Sequence, residues 1–543
     1  MTRIDMVTRL DVSSELLIAA RSAHGRRDWR AAYEAFTQAA EDTSLGVDDL
    51  DAMATAAWRL GHGKESLRVA ERVFTQLART DPPSAAMKAV DVALGWLTRG
   101  DVNIGQGWMN RARRLLEGAP AGPTHAYLAY LDAVVAVRNR DTAVIGPRVS
   151  ALRELCGRLD SPALTALSHV AEGLEAMLDG RMAEAYSLID EAMLPVLADQ
   201  VPLDWAGDIY CIVLHHCHRL ADLPRMRSWT QSMERWCRDF AASITYGGVC
   251  DVHRLQLLAG TDDYTALDAR LDQTSRALEE VNSWAAGEGY YQLGEVRRLR
   301  RDADGALAAF ARARELGVEP QPGEALLHCH LGDGEIAWTN LRVALAGEDR
   351  LGRMRLLFGA VEVALSRDDI DEAERHCQEL ESGAAAFGTP GFRAWAAHAR
   401  GAVLVRRAQH AHALEVLEGA LREYRVQQCR YETAQVYEWM SVAHRGLGEQ
   451  DLAAADAATA ENIYAQLGVE SSQCASPLPG GLTRREIDIL RRVASGGTNK
   501  QVAEQICISE KTVGRHLANI YGKLGVSSRT AAVAWAHEQN LLH

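Results

Sequence analysis

A short pattern of small and bulky apolar residues recurs along most of the chain. A small residue is followed four positions later by a bulky one and three positions after that by another small one. The pattern occurs at Ala32/Phe36/Ala39, Ala185/Ile189/Ala192, Ala306/Phe310/Ala313 and Ala413/Leu417/Ala420, and in looser form at Ala373/Cys377/Leu380 and Ala453/Ala457/Ala460. Because positions i, i+4 and i+7 share one helical face, each copy predicts a helix that a neighbouring helix can approach closely.

A polar turn precedes each copy, as at 27–29 and 301–304, and a further apolar helix precedes the turn, as at 434–443. This helix–turn–helix unit resembles the tetratricopeptide repeat, whose second helix has the same spacing. Ala373, Ala413 and Ala453 are 40 residues apart, more than the roughly 34 of the standard repeat. The resemblance implies an α-solenoid with a concave face. The alternative is that alanine-rich helices produce the spacing by chance.

The last sixty or so residues have a different pattern, with four short helices. Thr483 and Glu486 form a capping box for the first helix, and Gly496-Gly497 ends it. Thr498 and Gln501 form a second box. Ser509 is predicted to cap a third helix, Gly525 to end it, and Ser527 to cap a fourth. The third helix has one continuous apolar stripe, made of Val513, Leu517, Ile520, Tyr521 and Leu524.

Two short helices joined by a tight turn at Cys507-Ile508, the second with a polar outer face, are typical of a helix-turn-helix. The segment resembles the LuxR-type DNA-binding domain over nearly all of 482–533. The matching residues are Leu482-Thr-Arg-Arg-Glu486, Asn499-Lys500, Val502-Ala503, Ile508-Ser-Glu-Lys-Thr-Val513, His516-Leu517, Asn519-Ile520, Lys523-Leu-Gly-Val526 and Arg529. The resemblance implies a four-helix domain whose third helix contacts DNA and whose fourth often mediates dimerisation.

The predicted DNA-binding residues lie opposite the apolar stripe of the third helix and at the start of the second. Arg515 is the best candidate for a base contact, because a guanidinium can pair bidentately with guanine. Lys511 and Asn519 could reach bases or backbone, and Ala518 a thymine methyl. Phosphate contacts are predicted for Thr498, Lys500, Thr512 and Lys523. The complete predicted set is Thr498, Asn499, Lys500, Lys511, Thr512, Gly514, Arg515, Ala518, Asn519 and Lys523.

Two positions of the third helix and one histidine leave alternatives open. Many LuxR-type relatives carry longer side chains at the positions of Gly514 and Ala518. Glycine in a helix costs about 1 kcal/mol against alanine, so close approach of the backbone to DNA could explain Gly514; alternatively, both positions contribute little. His516 matches the family pattern, either as a structural hydrogen-bond partner or as a phosphate contact.

The charge of the chain is divided unevenly between its two parts. The whole carries −14, but the segment from Leu482 onward has nine Lys and Arg against five Asp and Glu, which leaves +4 there and −18 on residues 1–481. A basic segment joined to an acidic body is typical of a nucleic-acid-binding domain on a larger scaffold. The predicted domains are a helical-repeat sensor or interaction region at 1–467, a flexible linker rich in Gly, Ser and Pro at 468–481, and a DNA-binding domain at 482–543.

Other functions find little support. The closest approach to a phosphate-binding P-loop is Gly61-His-Gly-Lys-Glu65, which lacks the first glycine and the hydroxyl residue. Cys211, His215 and His218 share a helical face and could bind zinc, although a solenoid interior also accepts such residues. His328-Cys329-His330 is predicted to lie in a turn before Gly332. Neither a nucleophile with its base nor a convincing metal site emerges, so we expect no enzyme activity, no metal and no cofactor.

The sequence therefore predicts an all-α transcription regulator, an α-solenoid of tetratricopeptide-like helix pairs followed by a LuxR-type helix-turn-helix domain. We expect it to be cytoplasmic, because no secretory signal or spanning segment is evident. The expected partners are double-stranded DNA, a second copy of the chain in a homodimer, and a small-molecule, peptide or protein effector on the repeat region. The alternative is a helical-repeat interaction scaffold with a weak or vestigial DNA-binding tail.

Overall fold

The computed structural model describes residues 3–239, 244–469, 482, 484–506, 510–539 and 541. These described residues form 28 α-helices and no β-strand, which confirms the all-α prediction. The first 24 helices form a repeat array and the last four form a separate C-terminal domain.

The helices of the array alternate between a first and a second member of each pair. In chain order they are α1 (Arg3–Gly25), α2 (Trp29–Asp42), α3 (Val47–Arg59), α4 (Gly63–Thr80), α5 (Pro82–Thr98), α6 (Val102–Leu116), α7 (Pro123–Arg138), α8 (Thr142–Cys156), α9 (Pro162–Leu178), α10 (Met182–Leu197), α11 (Leu203–Arg219) and α12 (Leu223–Asp239). The second half comprises α13 (Ile244–Leu258), α14 (Tyr264–Leu278), α15 (Ser283–Leu299), α16 (Ala303–Glu315), α17 (Gly323–Leu331), α18 (Gly334–Gly347), α19 (Arg350–Ser366), α20 (Ile370–Phe387), α21 (Pro390–Arg406), α22 (His410–Gln427), α23 (Arg430–Leu447) and α24 (Gln450–Leu467).

The recurring small–bulky–small pattern lies on the even-numbered helices, as predicted for the second helix of each unit. Its bulky members are buried, with Phe36, Phe310 and Leu417 at 0% exposure, and its flanking alanines are equally buried in all four regular copies. Ala457, the central residue of a looser copy, is only half-buried. Each odd-numbered helix packs against the even-numbered helix that follows it, and most also pack against the next odd-numbered one, so the pairs stack into a tetratricopeptide-like solenoid.

A glycine on the first helix of three pairs receives the bulky residue of the second. Gly173 faces Ile189, Gly294 faces Phe310 and Gly401 faces Leu417. The separation is 16 residues in each pair. A Cβ added to any of these glycines would come within about 3 Å of the opposing side chain. The missing side chains therefore let the two helices of a pair approach each other closely.

The turn inside most pairs has a repeated backbone form. A residue with positive φ follows the end of the first helix by two positions, as at Arg27, Arg301 and Asp368. In these three turns the next residue is an aspartate whose carboxylate accepts from a backbone N–H of the second helix. Such a cap replaces a hydrogen bond that the first helical turn cannot make internally. This explains why a short Arg-Asp or Asp-Asp sequence suffices to reverse the chain.

The array curls until distant pairs touch. Lys64 Nζ lies 2.8 Å from Glu280 Oε1, Arg140 donates to Glu348 at 2.9 Å, and the backbone N–H of Arg430 donates to the carbonyl of Gly260 at 2.9 Å. These contacts join residues that are 170 to 216 positions apart along the chain. They enclose a central cavity, which the odd-numbered helices line for the most part.

The segment His328-Cys329-His330 corrects one sequence-based expectation. It lies within α17 rather than in a turn, and the chain turns only at Gly332, whose φ is +88°. A run of polar residues close to a glycine suggested a loop, but Ala325 and Leu327 are buried against the core. Tertiary packing therefore extends the helix through the polar residues.

Candidate DNA-binding surface

The C-terminal domain consists of α25 (Arg484–Ala494), α26 (Asn499–Gln505), α27 (Glu510–Leu524) and α28 (Arg529–Glu538). It has a hydrophobic core of its own, formed by Leu482, Ile487, Ile489, Leu490, Val493, Val502, Ala503, Val513, Leu517, Ile520, Ala532 and Ala536. All four helices contribute to this core, so the positions of α26 and α27 are fixed from within the domain. The turn between them at 507–509, with the predicted cap Ser509, lies outside the described residues.

The start of α26 forms the predicted capping box. Thr498 Oγ1 accepts from the backbone N–H of Gln501 at 3.3 Å, and Gln501 Oε1 accepts from the backbone N–H of Thr498 at 2.9 Å. Asn499 Oδ1 accepts from Arg529 of α28 at 3.0 Å, and Arg529 also donates to the carbonyl of Gly497. The side chain of Lys500 is exposed. The helix start is thus fixed, with one unobstructed cation beside it.

The two faces of α27 differ as the stripe predicted. Val513, Leu517 and Ile520 are at most 5% exposed. Four of the predicted DNA-binding residues, Lys511, Arg515, Ala518 and Asn519, are exposed on the other side. Thr512 belongs to the same helix, but its side chain lies outside the described residues. A polar face therefore projects from the domain along the whole of α27.

Within the described residues, no neighbouring atom requires glycine at two positions of this outer face. A Cβ built on Gly514 or on Gly522 meets no atom within 4 Å. The glycines therefore do not serve packing inside the chain. Both alternatives for Gly514, close approach of the backbone to DNA and little contribution, stay predictions.

Lys523, a predicted phosphate contact, forms an ion pair inside the domain. Its Nζ lies 2.7 Å from Oε2 of Glu486, whose side chain is only 4% exposed. The pair joins α27 to α25, so Lys523 stabilises the packing of the two helices. The side chain of Lys523 is still 39% exposed, and its ammonium can approach a further anion.

The fourth helix begins one residue later than predicted. Ser528, not Ser527, is its N-cap, and Ser528 Oγ accepts from the backbone N–H of Ala531 at 3.2 Å. Two adjacent serines can both cap a helix by sequence alone. The register of Ala532 and Ala536, which are both fully buried, decides between them.

His516 connects this domain to the array. Its Nε2 lies 3.1 Å from Oδ1 of Asp333 in the turn between α17 and α18, and both side chains are at most 10% exposed. Asp333 occupies the N-cap position of α18, yet its side chain makes no cap hydrogen bond. Burial would raise the pKa of Asp333, but the nearby imidazoles of His328 and His516 outweigh it and hold the pKa well below its usual range. The carboxylate is therefore ionised and directed at α27.

The residues that suggested a zinc site belong to the described part of the chain. No group of three or more His, Cys, Asp or Glu in this part of the chain is arranged to hold a metal ion. His215 instead packs edge-on against Trp284, with ring centroids 4.3 Å apart, and burial lowers its pKa well below the usual value. None of the described helices is long and apolar enough to cross a membrane.

The central cavity contains functional candidates that the sequence analysis did not identify. Its volume is about 1470 Å³. Charged and aromatic side chains from distant helices meet in it, among them Glu288, Tyr291, Arg355 and Glu362. Glu288 and Tyr291 lie on α15, whereas Arg355 and Glu362 lie on α19, and no local spacing links two helices that are tens of positions apart. In the sequence, these candidates differ from core residues only as charged positions within otherwise apolar helices.

Comparisons with known proteins agree with this geometry in the C-terminal domain. Residues 481–536 match the family described as bacterial regulatory proteins, luxR family. The transcriptional regulatory protein LiaR of Bacillus subtilis is 47% identical over 62 residues, which are 11% of this chain and 29% of that protein. A nitrate/nitrite response regulator protein homolog of Haemophilus influenzae is 51% identical over 59 residues, 11% of this chain and 28% of that protein. The chain thus spans less than a third of the length of these relatives.

Two solved structures are similar to the chain over most of its length. The Cut9–Hcn1 hetero-tetramer of the APC/C matches 85% of this chain and 96% of its own, at 12% identity and a TM-score of 0.36. A Rap protein complexed with competence and sporulation factor matches 74% of this chain and 98% of its own, at 10% identity and a TM-score of 0.36. The stacked helix pairs, the buried stripe of α27 and the match at 481–536 lead to one conclusion: the chain is a tetratricopeptide-like helical array that ends in a DNA-binding domain of the luxR family of bacterial regulatory proteins.

Proposed function

We propose that this protein is a sequence-specific DNA-binding transcription regulator whose helical array senses an effector or a protein partner. One observation carries the proposal. In a domain that matches a family of regulatory proteins, α27 buries one apolar stripe and exposes Lys511, Arg515, Ala518 and Asn519 along the opposite face. A helix of this kind fits the major groove, with its first half toward the base edges.

The exposed residues of α27 and α26 then divide into two roles. Arg515 makes the principal base contact, in a bidentate pair with guanine, and Ala518 can touch a thymine methyl. Lys511 and Asn519 contact bases or backbone, and Gly514 lets the backbone approach the DNA. Thr498, Asn499, Lys500, Thr512 and Lys523 lie at or near the phosphates, where they fix the orientation of the domain without selecting sequence.

Regulation acts through the position of the C-terminal domain relative to the array. His516 lies on the side of α27, between the buried stripe and the exposed face, and a helix in the major groove presents such a side to the phosphate backbone. The carboxylate of Asp333 lies 3.1 Å from His516, in a region that would hold a phosphate in the DNA complex. The charge of −18 on residues 1–481 adds repulsion toward DNA. An effector that moves the α17–α18 turn would therefore release α27.

The active form on DNA is a homodimer that binds two half-sites. The fourth helix, α28, offers the contact, because Ala532 and Ala536 face the core while Ala534 is exposed on its outer side. A small exposed residue allows two such helices to approach each other. Sedimentation of the full chain with and without a selected duplex measures this assembly, and replacement of Ala534 by arginine is expected to prevent it.

The test of DNA recognition is selection from random duplexes with the full chain, followed by binding measurements at a stated salt concentration. Arg515→Ala is expected to cost about 1–3 kcal/mol and to relax preference at one base pair. Arg79 is an exposed arginine of the array. Arg79→Ala is therefore the matched control and is expected to change neither DNA affinity nor base preference. Unchanged preference in Arg515→Ala would refute the assigned base contact. A failure of the wild-type chain to select any sequence would favour the interaction scaffold instead.

A further inference from the structure

The cavity enclosed by the array is large enough for a ligand. Its volume of about 1470 Å³ exceeds the ~300–1,000 Å³ typical of small-molecule sites. Aliphatic side chains of α5, α7, α9 and α11 line one part of it, among them Leu97, Val134, Leu174 and Ile212. Aromatic side chains line another part, including Trp284 and Phe358. The walls of the cavity therefore favour a ligand with an apolar body.

Arg355, one of the cations in this cavity, lacks the carboxylate partner that arginines in the array usually have. The guanidinium of Arg355 on α19 lies over the ring of Tyr291 on α15, 3.9 Å from its centroid, and among the described residues no carboxylate oxygen comes within 4.0 Å of it. By contrast, Arg298, which lines the same cavity, donates to Glu295 at 2.9 and 3.0 Å. Arg353, two residues away on the outer side of α19, lies 2.6 Å from Glu379.

Burial would lower the pKa of Arg355, but Tyr291, Glu288 and Glu295 outweigh it and raise the pKa, without a salt bridge to Arg355 among the described residues. An arginine stays protonated even when buried, and a buried cation without a contacting anion is unfavourable. Burial lowers the pKa of His218, which also lines the cavity, to about 3, so this side chain is neutral. Burial raises the pKa of Glu288, although Arg355 opposes the shift. The site has a fixed positive charge that a ligand anion could contact directly.

We propose that Arg355, braced by Tyr291, binds the carboxylate of a small organic acid whose apolar body occupies the aliphatic and aromatic part of the cavity. The guanidinium presents a planar pair of donors that matches a carboxylate. The ring of Tyr291 holds that plane in place, since arginine stacks favourably on aromatic faces. A free apolar acid and the C-terminus of a short apolar peptide share this chemistry.

Titration calorimetry of the full chain, without DNA, tests the site. The probes are octanoate and its neutral amide, and acetyl-Ala-Leu-Ala-Leu with a free or an amidated C-terminus. We expect one acid to bind and its amide to bind at least about ten-fold more weakly, the effect of one charged hydrogen-bonded pair. Whichever acid binds identifies the source of the carboxylate. Absence of binding by both acids, or equal binding of an acid and its amide, would overturn the proposal.

Three variants distinguish a ligand contact from a structural role. Arg355→Gln is expected to weaken acid binding by about ten-fold or more, while Arg353→Gln on the outer side of the same helix is expected to leave it unchanged. Glu288→Gln removes the competing negative charge and is expected to tighten acid binding. If Arg355→Gln impairs folding, the Glu288→Gln result decides alone, because a structural role of Arg355 predicts no gain in affinity. A loss of affinity in Glu288→Gln would contradict the anion site.

This inference deepens the proposed sensing role but is tested separately from it. Because the titration contains no DNA, the site stands or falls irrespective of DNA binding. If the acid binds and DNA affinity does not respond to it, the site holds and the sensing proposal fails. If an effector regulates DNA affinity but no acid binds, the sensing proposal holds and the carboxylate site is refuted.

Discussion

The carboxylate of Asp333 and the imidazole of His516 meet at 3.1 Å, although 183 residues separate them in the sequence. One belongs to a turn of the helical array and the other to the exposed helix of the DNA-binding domain. Both side chains are at most 10% exposed. The contact makes the position of α27 dependent on the α17–α18 turn, and it shows where a change in the array can reach the DNA-binding surface.

Replacing Asp333 with alanine removes this contact without altering the DNA-binding domain. We expect the full chain to bind its selected duplex at least about five-fold more tightly, a typical lower value for coupling between two sites. Asp371→Ala is the matched control, because it removes an equal charge from a side chain that is 97% exposed on α20. Fluorescence anisotropy at one fixed salt concentration measures the DNA affinity of both variants. Equal affinities of Asp333→Ala and wild type would refute inhibition by this contact.

Lys500 differs from Arg515 in what its removal should change. Lys500→Ala is expected to weaken all duplexes alike and to lower the salt dependence of binding by about one phosphate contact. The expected cause is loss of a phosphate contact at the exposed start of α26. Plots of the logarithm of affinity against that of salt concentration, for a selected and an unrelated duplex, give the slopes. A slope equal to that of Arg79→Ala would show that Lys500 lies away from the phosphates.

The glycines that receive bulky side chains should not tolerate alanine. Gly401→Ala places a methyl group against Leu417 and is expected to destabilise the array by about 1–3 kcal/mol, as overpacking usually does. Gly419 is the control, because it lies on α22 of the same pair and a Cβ there meets only the end of the Arg422 side chain at 3.7 Å. Gly419→Ala should stabilise by about 0.5–1 kcal/mol through helix propensity. Thermal unfolding measures the shifts, and a rise in Tm for Gly401→Ala would contradict the tight contact.

Buried histidines should make the array sensitive to acid. Burial lowers the pKa of His398 to about 3, whereas an unfolded histidine titrates near 6.5. Between these values the unfolded state binds more protons, so stability is complete above about pH 6.5 and falls as the pH decreases toward 3. His398→Gln should therefore lose less Tm between pH 7.5 and 5 than wild type does.

His412→Gln, at an exposed position of α22, is the control for this pH dependence. It is expected to lose as much Tm between the two pH values as wild type. Its Tm should therefore fall more steeply than that of His398→Gln. If all three proteins lose the same Tm, the acid sensitivity does not arise from His398.

Much of the architecture could be predicted because its signals are local. The i, i+4, i+7 pattern identified six of the even-numbered helices, and the stripe from Val513 to Leu524 correctly separated the buried face of α27 from its exposed face. The capping box at Thr498 and Gln501 was confirmed. The cap of α28 was placed one residue early, since Ser527 and Ser528 are equivalent until Ala532 and Ala536 are packed. The assigned DNA-binding residues and the linker at 468–481 stay predictions.

By itself the sequence determined the all-α fold, the paired helices and the DNA-binding domain, because propensity, periodicity and capping act within a few residues of each other. Tertiary structure alone decided the contacts between distant pairs: the enclosed cavity, the isolated charge of Arg355 on Tyr291 and the meeting of Asp333 with His516. The curvature of a solenoid sums small rotations between successive pairs. No local sequence pattern specifies this accumulated curvature. The sequence therefore cannot show which distant residues become neighbours.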